Sequence, residues 1–420
     1  MQDPTKNLID WKTNAWKDPN MVAWYSKRMV ENTGTNVLKN LLETRLLMRL
    51  VTGHDVLDVG IGTGRGSIPL AKAGYNVSGI DSSQAMLDET QRLAGNIPMN
   101  LQVGDVQAVP HADESFDFLL SLNVMVHFPH WQNVLTEWKR VMRPGGRIIF
   151  DIHSFDHLQA AHGDNAQAVA DIGKQEQTFG SYMATASVED ICRWASANGM
   201  TLSAIIPVGV LFGGAAYNHL LAGLESRRDW QRLLSWLPND RSLLDLALLL
   251  EEGWIAHMSS RISGRFFVVL EKVDNPAHND AWLSRNQALN QLLQQTESVA
   301  DIAAAVGIDL PSWHQKLRPL LRQVRCRAYL YLIYREVRRL RPTLDVAPLL
   351  PPEFAQLFDD WFLQDAIDER SLDWIRNWQR SPEFAGAFQF AGVPLAPGLE
   401  YGLMEMILTQ YFGVYSGVRS

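Results

Sequence analysis

From Val56 to Gly66 the chain reads Val-Leu-Asp-Val-Gly-Ile-Gly-Thr-Gly-Arg-Gly, and this stretch constrains the fold most tightly. A short apolar strand runs into glycines at 60, 62, 64 and 66. Glycine lets a backbone turn through positive φ and lets a ligand touch the main chain. The run that follows, Ser67–Ala73, reads as a helix whose first N–H groups have no partner of their own. A dinucleotide reader needs Gly-x-Gly-x-x-Gly. Here the third place falls on Arg65, which argues against NAD or FAD.

The alternation continues. Asp55–Gly60, Asn76–Ile80, Asn100–Val103, Ser115–Leu122 and Arg147–Ile152 read as strands. Gln84–Leu93 and Trp131–Met142 read as helices, the second stopped by Pro144-Gly145-Gly146. Ser187–Asn198 reads as a helix with Ser187 and Asp190 as a capping pair, and Leu202–Val208 and Arg265–Val273 as two more strands. The expectation is an α/β fold: a doubly wound, mostly parallel seven-stranded sheet with helices on both faces. Residues 1–273 would form that domain, with lid helices in 1–50. A helical cap insertion is expected at 209–263, because more than fifty helix-patterned residues are too many for a plain loop. The polar stretch 274–280 reads as a linker, and 281–420 as a separate, mainly α C-terminal domain.

Further motifs follow in order. Asp81 closes the second strand, where a carboxylate can accept two ribose hydroxyls. Gly104-Asp105-Val106 follows the third strand. Ser121-Leu122-Asn123-Val124 ends the fourth, with His127-Phe128 just beyond, and Arg143-Pro144-Gly145-Gly146 precedes the fifth. Residues of about 50–273 therefore resemble class I methyltransferases that use S-adenosylmethionine, in their ubiquinone/menaquinone-methyltransferase-like branch. That branch is dominated by small-molecule enzymes. The resemblance implies S-adenosylmethionine as cofactor, held at the first strand and turn by Asp58, Gly60, Gly62 and Gly64. It implies Asp81 at the ribose and Asp105 at the adenine amino group, with Ser82, Met86, Val106, Leu122 and Asn123 also binding the cofactor. In related enzymes an N-terminal helix covers the cofactor. Tyr25 and Arg28 share a helix face by their i, i+3 spacing and match a methyl-shielding aromatic and a partner for the methionine carboxylate. The aromatics Trp11, Trp16, Trp24 and Tyr25 can equally pack against the sheet.

Methyl transfer to a hydroxyl needs a proton acceptor. His127 stands past the fourth strand, where open α/β sheets place ligands, and is the first candidate. Asp151 and His153, at the end of the fifth strand, are the next, and Tyr182 a weaker one. Asp151, His153, Asp156 and His157 have the residue types of a metal site, but short acid/His spacing recurs by chance, and no metal is expected. The signatures Asn-Pro-Pro-Tyr and Asp-Pro-Pro-Tyr are absent from the sequence, which argues against nucleic-acid bases as acceptors.

The formal charge is −8, unsuited to sequence-independent nucleic-acid binding. The only cysteines, Cys192 and Cys326, fit no metal spacing and read as reduced. A leader or transmembrane stretch is not evident, so a cytoplasmic protein is expected. The insertion's aromatics, Phe212, Tyr217, Trp230, Trp236 and Trp254 among them, either line an acceptor pocket or form the cap's own core. Residues 317–341 carry eight arginines among apolar residues. They suit a peripheral membrane contact, an acidic partner, or pairing with acids elsewhere in the chain. The acceptor is expected to be a small molecule or glycan precursor, with a protein or peptide docked on 281–420 as the alternative.

Overall fold

The computed structural model describes residues 4–30, 34–209, 241–295, 298–321 and 352. Three helices lead: α1 (Pro4–Ala15), α2 (Pro19–Val30) and α3 (Gly34–Leu50). Then come β1 (Asp55–Val59), α4 (Ser67–Lys72), β2 (Asn76–Asp81), α5 (Gln84–Ala94), β3 (Asn100–Val103) and β4 (Phe116–Ser121). The sheet continues through α6 (Trp131–Val141), β5 (Met142–Ser154), α7 (Phe155–His162), α8 (Ala166–Ala170), β6 (Thr185–Ala186), α9 (Val188–Ala197) and β7 (Thr201–Pro207). Helix α10 (Arg241–Gly253) precedes β8 (Arg265–Glu271), and α11 (Pro276–Gln295), α12 (Val299–Val306) and α13 (Leu310–Leu321) follow.

Seven strands run in the order β3-β2-β1-β4-β5-β8-β7. The first five pair in parallel, and β8 enters antiparallel between β5 and β7. The expected seven-stranded sheet thus gains a short eighth strand. Thr185 and Ala186 pair with His153 and Ser154 at the end of β5, too short a run to stand out as a pattern. Helix α6 shows why the layers close. Trp131, Val134, Leu135, Trp138 and Val141 fall on one stripe and are all buried. Trp138 is fully buried, with its Nε1 donating to the Val106 carbonyl at 2.9 Å, so its one polar atom is satisfied. Helix α9 starts with the expected capping box between Ser187 and Asp190.

Two expectations about organisation change. The stretch 274–280 is not a free linker: α11 begins at Pro276, and Asn279 is fully buried. Its side chain accepts from Leu202 N at 2.7 Å and donates to the Met200 carbonyl at 2.9 Å, so it ties α11 to β7. The chain also divides differently. One unit comprises 1–31, 40–207 and 263–287; the other comprises 32–39, 208–262 and 288–420. The insertion therefore groups with the C-terminal residues rather than with the sheet. Within that second unit α10 packs on α13, and Trp254 and Trp313 meet with ring centroids 5.9 Å apart. Of the insertion's aromatics Trp254 is fully buried; Phe212, Tyr217, Trp230 and Trp236 lie outside the described residues, as does most of 317–341. No helix among the described residues is long and apolar enough to cross a membrane.

Candidate functional site

The turn after β1 is held from below. Gly60 N and Ile61 N donate to the Ile80 carbonyl at 2.8 and 2.9 Å, fastening the turn to β2. Gly60 has φ +73, and a Cβ there would come within 2.5 Å of Val124 Cγ2. Gly62 has φ +56, but a Cβ on it would meet only the Gly60 carbonyl, at 4.0 Å. Its Cα therefore borders open space, which is what close approach of a ligand to the main chain requires. Asp58 lies beneath the turn, buried, and accepts from the Ser67 hydroxyl. Burial pushes its carboxyl up to about 7, against the lowering effect of Ser67.

Asp81 stands at the end of β2. One carboxylate oxygen accepts from Gly62 N and the other from Ser83 N, both at 2.9 Å. Burial raises its pKa, opposed by the N–H groups of Ser83, Gly62 and Ser82. An ionised carboxylate offers about four lone-pair positions. Asp81 is therefore fixed in place with capacity left for two hydroxyl donors. Ser83 caps α5 through Met86 N, and Met86 is buried behind the acid. Ser82 is half-buried beside it. After β3, Asp105 is exposed, its carboxylate accepting from Gln107 N at 2.8 Å, and Val106 is buried.

Leu122 and Asn123, both half-buried, follow β4. Asn123 has φ +59, a left-handed backbone that a non-glycine residue adopts only where its surroundings enforce it. Its N–H donates to Asp151 Oδ1 at 2.6 Å. His127 closes the one-turn 3-10 helix Met125–His127. Its Nδ1 is buried and has no hydrogen-bond partner. Burial, and then the charge of Lys12, push its pKa down to about 4, although Asp151 works the other way. Lys12 of α1 is buried and donates to the Tyr182 carbonyl at 2.8 Å. Burial lowers its pKa to about 8. Tyr182 is buried as well, and burial pushes its phenol up to about 12.

The N-terminal helices bring Trp16 to His127, with ring centroids 6.4 Å apart, and Tyr25 edge-on to Trp16 at 5.3 Å. Arg28 is exposed, its guanidinium 5.3 Å over the exposed Trp24 ring, whereas Tyr25 is half-buried. Asp151 differs from an unencumbered base. Its Oδ2 accepts from Arg265 Nε at 2.8 Å while Oδ1 holds Asn123. His153 sits in the last rungs of β5, opposite Thr185 and Arg265. Asp156 accepts from Val188 N, and no three His, Cys, Asp or Glu side chains converge among the described residues.

Sequence reasoning missed Arg265, Glu43, Arg65 and Lys12. No local pattern marks them, because each acts through residues remote in the chain. The Arg-Pro-Gly-Gly motif has a different use from the rest. Arg143 bonds Asp55 at 2.9 Å and Asp117 at 2.8 Å at the starts of β1 and β4, at the opposite end of these central strands from the glycine turn.

Residues 57–150 match the methyltransferase domain family. Within those residues the chain carries a methyltransferase domain of this family. An O-methyltransferase of Aspergillus sclerotiorum is 28% identical over 163 residues, 37% of this chain and 56% of its own length. A demethylmenaquinone methyltransferase of Renibacterium salmoninarum is 35% identical over 130 residues, 29% of this chain and 53% of its own. The chain spans about half the length of the curated relatives it matches. The solved magnesium protoporphyrin IX methyltransferase from Synechocystis PCC 6803 with bound SAH is 19% identical, covers 48% of this chain and 92% of that one, and has a TM-score of 0.37.

Proposed function

We propose that the chain is an S-adenosylmethionine-dependent methyltransferase acting on an oxygen or nitrogen of a small metabolite or glycan precursor. The observation that carries the reading is Asp81, held by Gly62 N and Ser83 N beside the open Cα of Gly62. An adenosyl ligand would suit that arrangement: Asp81 would hold the ribose hydroxyls and the glycine turn would hold the methionine portion. The bound cofactor would supply an electrophilic methyl on a sulfonium. In this reading Asp105 and Val106 after β3 and Leu122 and Asn123 after β4 would hold the adenosyl group.

The chain's own contribution is to exclude water and to place the acceptor. Trp16, with Tyr25 edge-on to it, stands beside His127. His127 is neutral at physiological pH and can accept a proton at Nδ1 from an acceptor hydroxyl. Asp151 and His153 are better read as parts of the frame, Asp151 because both its oxygens are already engaged. An oxygen acceptor agrees with the similarity to the O-methyltransferase of Aspergillus sclerotiorum.

Isothermal titration with S-adenosylmethionine and S-adenosylhomocysteine tests the cofactor assignment, with micromolar binding expected. Asp81→Ala should weaken binding at least about 100-fold, since two charge-assisted hydrogen bonds are worth roughly 3 kcal/mol or more together. Unchanged affinity in that variant would remove the assignment.

A further inference from the structure

Four charged side chains form one buried line beneath the two turns that border the candidate cofactor site. Arg65, in the glycine turn, pairs with Glu43 of α3. Glu43 Oε1 accepts from Arg265 Nη2 at 2.8 Å, and Arg265 Nε donates to Asp151 Oδ2 at 2.8 Å. Asp151 Oδ1 then holds Asn123 N. Glu43, Arg265 and Asp151 are at most 2% exposed. The signs alternate, so the line carries no net charge. A buried ion pair is a poor device for stability, because hydrophobic residues of equal volume often do as well. What it supplies is position: a planar guanidinium bonded on two sides admits one geometry.

The ends of the line are informative. One is in the turn after β1. The other is the left-handed Asn123 in the turn after β4. Those two turns are in contact, since a Cβ on Gly60 would meet Val124 at 2.5 Å. We propose that Arg65, Glu43, Arg265 and Asp151 are positioning residues for S-adenosylmethionine. They fix the spacing of the two turns and so set cofactor affinity through the backbone. This rests on reading the site as an S-adenosylmethionine cradle. Desolvated charges respond together, because removing one leaves its neighbours uncompensated. A change in β8 or α3 should therefore be felt at the Asn123 amide.

The test uses the full-length chain and the variants Arg265→Lys and Glu43→Gln. An ammonium at 265 cannot bridge both carboxylates in the guanidinium's geometry. Amide hydrogen exchange at 61–66 and 122–124, melting, and S-adenosylhomocysteine affinity are read together. Both variants should exchange faster at 122–124 while 148–150 in β5 stays protected. They should bind S-adenosylhomocysteine roughly 10-fold more weakly, the lower end of the loss seen when residues that orient metal ligands are changed. If they fail to fold, Arg65→Lys at the half-buried outer end gives the same readout. The neutral pair Asp151→Asn with Arg265→Gln should recover part of the protection lost by Arg265→Lys, which a loss of packing alone does not predict. Folded variants with unchanged exchange at 122–124 and unchanged affinity overturn the proposal. The two failures are distinct. A wild-type chain that takes no S-adenosylhomocysteine sinks the cofactor reading and the brace's role with it. A wild-type chain that binds, with variants that bind equally well, sinks the brace alone.

Discussion

At the scale of the residue, the His127 imidazole, with its Nδ1 buried, and the buried Asp58 carboxyl give opposite pH signatures. His127 is held down to about 4, so the unfolded chain takes up a proton from about pH 6.5 downward that the folded chain refuses. Its contribution to stability is lost as pH falls through that window, and His127→Gln should flatten the melting-temperature profile there. The same residue should show no NMR titration between pH 5 and 8; a midpoint near 6.5 would contradict the burial described. Lys12 is the nearby cation, so Lys12→Met should raise the His127 midpoint. Asp58 behaves in reverse. Its carboxyl is raised to about 7, so the folded chain keeps a proton that the unfolded chain gives up near pH 4. Stability falls as pH rises from 4 to 7, and Asp58→Asn, which still accepts from Ser67, should stabilise the protein above pH 7. The gain is on the order of 2–4 kcal/mol, measured by denaturant melts at pH 5 and pH 8. The site residues legible in the sequence were those on turns, where glycine and an acid report what the backbone needs. Lys12, Glu43 and Arg265 were not legible, because their partners lie 170 and 222 residues away.

At the scale of the element, the strands and helices before β5 follow from short-range patterns, and their bounds agree with the sequence to within one residue; β5 itself begins at Met142, five residues earlier than expected, and runs through Pro144-Gly145-Gly146. Period and capping decide such elements locally. The stretch 274–280 shows where that fails. Polar composition reads as solvent-exposed, yet Asn279 is buried because its amide satisfies both Leu202 N and the Met200 carbonyl. Asn279→Ala leaves both groups without that partner and should cost about 2–4 kcal/mol, measured by chemical denaturation. Gly60→Ala should be damaging for two reasons at once, a positive φ and a clash with Val124, and should lower both the melting temperature and S-adenosylhomocysteine affinity.

At the scale of the whole molecule, the insertion is the part the sequence described in the wrong company. Helical periodicity shows that an apolar face exists but not which element covers it. Trp254, fully buried, is covered in part by Trp313, 59 residues on, so the insertion and the C-terminal helices form one unit. A chain ended at 273 removes Asn279 and strips α10 of α13. It should melt well below a chain ended at 321, with calorimetry of the two as the measurement.

The place of β8 in the sheet has a consequence in time. It lies between β5 and β7, yet it is the last of the three to be synthesised. The 57 residues between Pro207 and Arg265 take on the order of 3–10 s to translate at 5–20 residues per second. For that interval the nascent sheet holds an unfilled slot, with the β5 edge open to any strand that can pair with it. The strand that fills the slot also delivers Arg265. The ribosome therefore finishes the sheet and the support of the candidate site's turns in the same few residues.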